Sequence, residues 1–200
     1  MTSSERAKRF SFHLAVTSIL FATTASAGAA VPCANPKSLH ATYISVGEVD
    51  ATVKSLSPIY TDDEPVCVTD AGEFNVGVFV VGRPKKVDAS TATQDGTVRV
   101  TEGLQLDHVT AIVRILKGAG TFVTGGTLVD GQRIANDDPD LPVIGPGVRG
   151  KLIQGGEQRR VSKDDMVVVP AGVVHGFGSV EQPLTYMVVR IDPTKVLPLK

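Results

Sequence analysis

The chemistry-bearing side chains of this sequence are few, and His175 stands in the most specific surroundings. It closes the run Asp164-Asp165-Met166-Val167-Val168-Val169-Pro170-Ala171-Gly172-Val173-Val174-His175. An imidazole can move protons near neutral pH or ligate a first-row metal. His108 stands beside Asp107, with Gln105 two residues earlier, while His40 lies far upstream of both histidines. Cys33 and Cys67 lack the C-x-x-C spacing of zinc or thioredoxin-like sites. There is no G-x-S-x-G, H-E-x-x-H or Walker A sequence. Gly118-Ala119-Gly120 precedes a strand and no helix, so it reads as a hairpin rather than a dinucleotide loop.

The elements that must hold these side chains are short and β-branched. Runs at Phe74 to Val81, Thr97 to Thr101, Val109 to Leu116, Thr121 to Val129, Met166 to Val169 and Leu184 to Ile191 are separated by Gly, Pro, Asp and Asn, an all-β pattern. Gly118, Gly120, Gly125, Gly126 and Gly131 read as turns or bulges, with a hairpin across Leu116 to Leu128. Residues 136–150, rich in proline and glycine, read as a long loop. Val167-Val168-Val169 and Met187-Val188-Val189 are apolar on both parities, which predicts cover on both faces, as two packed sheets closing into a barrel provide. Upstream, Ser45-Val46-Gly47-Glu48 has the form of a capping box. Val46, Val49, Val53 and Leu56 recur at helical spacing before Pro58 ends the element, predicting a short helix packed outside the sheet.

The stretch ending at His175 resembles the second conserved motif of the cupin superfamily, G-D-x-x-x-x-P-x-G-x-x-H. Asp164 takes the place of the usual glycine, a turn position that Asp also occupies. Gly103 through Gly118 resembles the first motif, with Gln105, Asp107 and Ala111 at positions where the family carries His, His and Glu. His108 is one residue out of that register, which in a strand means the opposite face. The resemblance runs from about Phe74 to Asp192. It implies an all-β, double-stranded β-helix (jelly-roll) barrel preceded by a short N-terminal helix.

The resemblance also implies where function would sit. Metal-binding cupins use three imidazoles and a carboxylate. Here His175, His108 and Asp107, helped by Gln105, would make a depleted site for iron, manganese, nickel or zinc, and two imidazoles with one carboxylate suit Fe(II). Such a site would serve an oxygenase or isomerase. The preferred expectation is a small-molecule-binding barrel, with Tyr186, Arg114, His175 and Phe177 as polar and aromatic anchors in a valine-lined interior. A third reading is a non-catalytic structural module that forms a homodimer through strand edges.

The ends supply an address. Arg6, Lys8 and Arg9, the apolar run Phe10 to Ala22, and Ala25-Ser26-Ala27 match the three parts of a secretory signal peptide over residues 1–27. The apolar run falls short of the roughly 20 residues that cross a bilayer. Pro32 before Cys33 is a poor lipobox. The expectation is a periplasmic or extracellular protein without a membrane anchor after cleavage, in which residues 28–72 form an arm with the short helix and residues 73–200 form the barrel. Removing that leader takes three basic residues from a total of 20 and one acidic residue from 21, leaving about three net negative charges. With no Lys/Arg cluster, nucleic acid is not an expected partner. In an oxidising compartment Cys33 and Cys67 read as one disulfide, the alternative being two separate thiols.

Overall fold

The computed structural model describes residues 33, 41–59, 61–85 and 95–200. The signal-peptide pattern of residues 1–27 and His40 lie outside the described residues. Along the chain come helix α1 (Val46–Ser55), strands β1 (Asp62–Asp70), β2 (Asn75–Arg83), β3 (Thr97–Leu106), β4 (Thr110–Thr124), β5 (Thr127–Leu128) and β6 (Gln132–Arg133). Helix α2 (Leu141–Ile144) follows, then β7 (Gly147–Gln154), β8 (Glu157–Ser162), β9 (Met166–Val169) and β10 (His175–Asp192).

All pairings are antiparallel, and β4 and β10 run through the whole barrel. The first half of β4 pairs with β9 and its second half with β8. In β10, residues 184–192 pair with β2, while His175 and Gly176 pair with β3. One face of the barrel is therefore β1-β2-β10-β4-β9, and the other is β5-β7-β3-β10-β4-β8. Two long strands shared between two faces define a cupin-like double-stranded β-helix.

The strands turn from one face to the other where Gly118, at φ +86°, passes Pro183 and Leu184. A Cβ at Gly118 would lie 2.9 Å from the Leu184 Cα. Pairing register shifts at the same place, between Gln182 and Thr185. The hairpin expected across Leu116 to Leu128 is thus a continuous, bent β4. Its glycines are used for the close approach of β10, and the reversal comes later, at Gly125-Gly126.

Three other expectations are corrected. The sheet starts in the presumed arm, since β1 pairs with β2 from Asp62 to Asp70. The presumed loop at 136–150 contains α2 and the start of β7. Met166 and Val168 are each 62% exposed, so β9 has one open face despite being apolar on both parities. Helix α1 has its capping box, with Ser45 Oγ accepting from Glu48 N–H and Glu48 Oε2 accepting from Ser45 N–H. It contacts β1 and β2 from outside but buries none of its residues, and Val46 faces solvent.

The main core lies between the two faces, with Phe79, Val113, Ile115, Phe122, Phe177 and Leu184 among its members. Cys33 and Cys67 form a disulfide with Cα atoms 5.3 Å apart, tying the N-terminal segment to β1. At the other end, Lys200 exchanges two backbone hydrogen bonds with Val68 and shields part of the β1 edge. No helix among the described residues is long and apolar enough to cross a membrane.

Candidate functional site

The barrel interior is not filled. A cavity of about 320 Å³ lies between the faces, walled by Val81, Leu104, Ala111, Val113, Phe122 and Val188. Its mouth is edged by the start of β1 and by α2. Alternation along the strands explains which residues reach it: Tyr186, Val188 and Arg190 share one face of β10, and Val81 and Arg83 share one face of β2.

Among the sequence-predicted residues, His175, Phe177 and Tyr186 line this cavity. Phe122 packs edge-on against Phe177, at 4.8 Å between centroids, and Phe177 lies 5.6 Å from Tyr186. Gly172, at φ +77°, donates its N–H to the Leu106 carbonyl, and Val173 closes a turn onto Pro170. That turn sets His175 opposite Leu104 of β3 and Thr124 of β4. Its Nδ1 is 3.1 Å from the Val173 carbonyl oxygen. A carbonyl can only accept, so Nδ1 carries the proton and Nε2 of the neutral ring offers a lone pair. Burial among protein atoms lowers the His175 pKa to about 4, with the Arg190 and Arg83 charges acting in the same direction and the Val173 bond opposing. The residue keeps partial accessibility because it borders the cavity.

The other predicted residues lie elsewhere. Arg114 is on the outer face of β4, exposed and paired with Asp164 at 3.4 Å, so it is no part of the pocket. Asp107 and His108 belong to the turn between β3 and β4, and His108 is exposed. Both Asp107 oxygens accept from Arg133, at 2.8 and 2.7 Å, and this hydrogen-bonded guanidinium holds the Asp107 carboxyl below its ordinary range. Gln105 points the other way from Leu104 and Leu106 and donates to the Gly172 carbonyl. His175 is therefore not joined by His108, Asp107 or Gln105. Among the described residues no three His, Cys, Asp or Glu side chains converge in a way that would hold a metal. The expected depleted metal site does not fit this chain, because its donors sit in a surface turn and on the outward parity of β3.

Sequence reasoning missed the charged residues that do enter the cavity. Arg190, 5% exposed, makes a bidentate pair with Asp63 at 3.2 and 2.6 Å, donates to the Val143 carbonyl at 3.1 Å, and stacks 4.4 Å above Phe79. Arg83, 8% exposed, donates Nε to the Tyr186 hydroxyl at 3.1 Å and lies 5.4 Å over the Phe177 ring. Burial works against the Arg83 charge, but Tyr186 and Glu102 outweigh it and hold the group protonated. Burial also raises the Tyr186 pKa, so the phenol keeps its proton near neutrality. Glu102 links Arg83, at 3.7 Å, to Arg149, at 3.0 Å, and Arg149 also pairs with Asp138 and Asp140. The available signal was an arginine at inward parity in an otherwise apolar strand, seen in Tyr186-Met187-Val188-Val189-Arg190.

No family model and no curated protein matches the chain. Among solved structures it is similar to a Bacillus halodurans protein, at 14% identity and TM-score 0.40, over 76% of this chain and 82% of that one. It is also similar to the DMSP lyase DddQ of Ruegeria pomeroyi, at 14% identity and TM-score 0.39, over 68% of this chain and 48% of the lyase. The cupin domain of Schizosaccharomyces pombe Cnp3 is similar at 12% identity and TM-score 0.37, over 70% and 66% of the two chains. None of these likenesses transfers a ligand or an activity. The double-stranded β-helix is defined by this chain's own strand pairing.

Proposed function

We propose that this chain is an exported, cupin-like binding protein that takes a small molecule into the barrel interior. The observation that carries the reading is the cavity of about 320 Å³, with Val81, Ala111, Val113, Phe122 and Val188 along its inner walls and Arg83, Arg190, Tyr186 and His175 converging on it. Ligand sites combine apolar walls with fixed polar groups, and their volumes begin near this size. A barrel selected for stability alone would close the space, because unfilled volume forfeits packing energy. Export is supported by the leader pattern and by the Cys33–Cys67 disulfide, which suits an oxidising compartment. A homodimer belongs to the same proposal, with the open Met166 and Val168 face of β9 available to a second copy; light scattering that returns a monomer removes that part.

The binding reading is tested by a thermal-shift screen of neutral and anionic small molecules on the wild type and on Ala111→Leu. Ala111 is buried on the cavity wall, so the added carbons enter the cavity. Ligands that raise the wild-type Tm by several degrees should have no effect on a folded Ala111→Leu protein. Equal shifts in both proteins would place binding elsewhere and overturn the proposal.

A further inference from the structure

The polar groups of the cavity differ in how completely they are paired, and that difference specifies a class of ligand. At its terminal nitrogens Arg190 is fully engaged, by Asp63 and the Val143 carbonyl, while its Nε is buried without a partner among the described residues. Arg83 is not engaged in this way. Its Nε has Tyr186, and its Nη1 has Thr101 at 3.4 Å, but the carboxylate nearest Nη2 is Glu102 at 3.7 Å, beyond hydrogen-bond distance. A buried guanidinium on the cavity wall thus keeps a free donor. Across the Phe177 and Phe122 rings, His175 spends Nδ1 on Val173 and keeps Nε2 as an acceptor without a partner among the described residues. A donor and an acceptor left this way at the cavity wall are open to a guest that completes them.

The charge balance decides between an anionic and a neutral guest. Arg83 and Arg149 face Glu102, Asp138 and Asp140, and Asp62 and Glu64 also line the cavity, so the negative charges outnumber these two positive ones. Solvent around exposed Asp140 weakens its contribution, but the cluster still has no positive surplus. Arg190 and Asp63 cancel each other. An anion entering the cavity would lose its hydration without meeting an uncompensated cation. A neutral carbonyl oxygen can accept from Arg83 at far smaller desolvation cost, and a neutral hydroxyl can donate to His175 Nε2.

Resting on the small-molecule reading above, we infer that the ligand is an uncharged hydroxy-carbonyl compound with an apolar frame, its carbonyl on Arg83 and its hydroxyl on His175. Isothermal titration of the chain as purified, at pH 7, with the 3- and 4-hydroxyacetophenones, acetophenone and the corresponding hydroxybenzoates separates the terms. At least one hydroxyacetophenone should bind tenfold or more tightly than both acetophenone and its matched hydroxybenzoate. His175→Leu should erase the preference over acetophenone while leaving acetophenone binding in place, and Arg83→Met should weaken every ketone.

Tighter binding of the hydroxybenzoates overturns the neutral class but keeps the cavity as the site, provided Ala111→Leu abolishes it. Equal binding of acetophenone and its hydroxylated forms overturns the role of His175. Absence of binding by all of them overturns the inference even if Arg83→Met fails to fold, and thermal-shift ligands of other chemistry that depend on Ala111 would still leave the cavity reading standing.

Discussion

His175 shows how one residue's surroundings fix its protonation and, through it, the behaviour of the protein with pH. Its folded pKa is about 4, while a free imidazole titrates near 6.5. Because the folded value is depressed, protonation favours the unfolded chain. The neutral ring's contribution is fully present above pH 6.5 and is lost as pH falls from there to 4. By linkage the loss amounts to at most about 3 kcal/mol. Urea unfolding of the wild type and His175→Gln should therefore diverge in slope between pH 6.5 and 4, with the variant flatter; parallel curves would show the ring to be solvated. The tautomer set by Val173 belongs to the same scale, since it decides that Nε2 accepts at neutral pH.

At the scale of elements, the shared strands β4 and β10 make the cavity, and Gly118 lets them turn together. Gly118→Ala adds a Cβ at φ +86° against the Pro183–Leu184 backbone, which should cost about 2 kcal/mol or more and be read as a fall in the urea midpoint. An unchanged midpoint would mean the bend is made elsewhere. The same strand explains what was legible beforehand. The β-branched runs, the capping box of α1 and the turn at Gly172 follow from local chemistry, and Asp164 takes φ +73° as its turn position requires. A bent strand and a hairpin share the glycine signature of residues 118–126, so local sequence cannot separate them. Arg83 and Arg190 were hidden for another reason: a buried arginine is recognised by its partners, and Tyr186, Glu102 and Asp63 lie 103, 19 and 127 residues away from them respectively. The metal reading failed at Gln105, where register decides parity and register comes from pairing between strands, and at Asp107 and His108, which fall in the turn after β3.

For the molecule as a whole, two terminal fastenings frame the barrel, the Cys33–Cys67 bridge and the pairing of Lys200 with Val68. The bridge spans 34 residues, so chain-entropy reasoning gives it about 2 to 4 kcal/mol. Cys33→Ser with Cys67→Ser should lower the Tm accordingly and remove the sensitivity of the wild type to a reducing agent; a Tm indifferent to both would mean the arm adds nothing to barrel stability. Between those fastenings the barrel keeps an interior space of about 320 Å³ that its apolar residues leave open. Methyl-labelled NMR of the wild type, titrated with the strongest thermal-shift ligand, tests the use of that space most directly. The methyls of Leu104, Val113 and Val188 should shift, those of exposed Val129 and Val168 should not, and Ala111→Leu should abolish the response. Shifts confined to the outer valines, or a response that survives Ala111→Leu, would contradict a ligand inside the barrel.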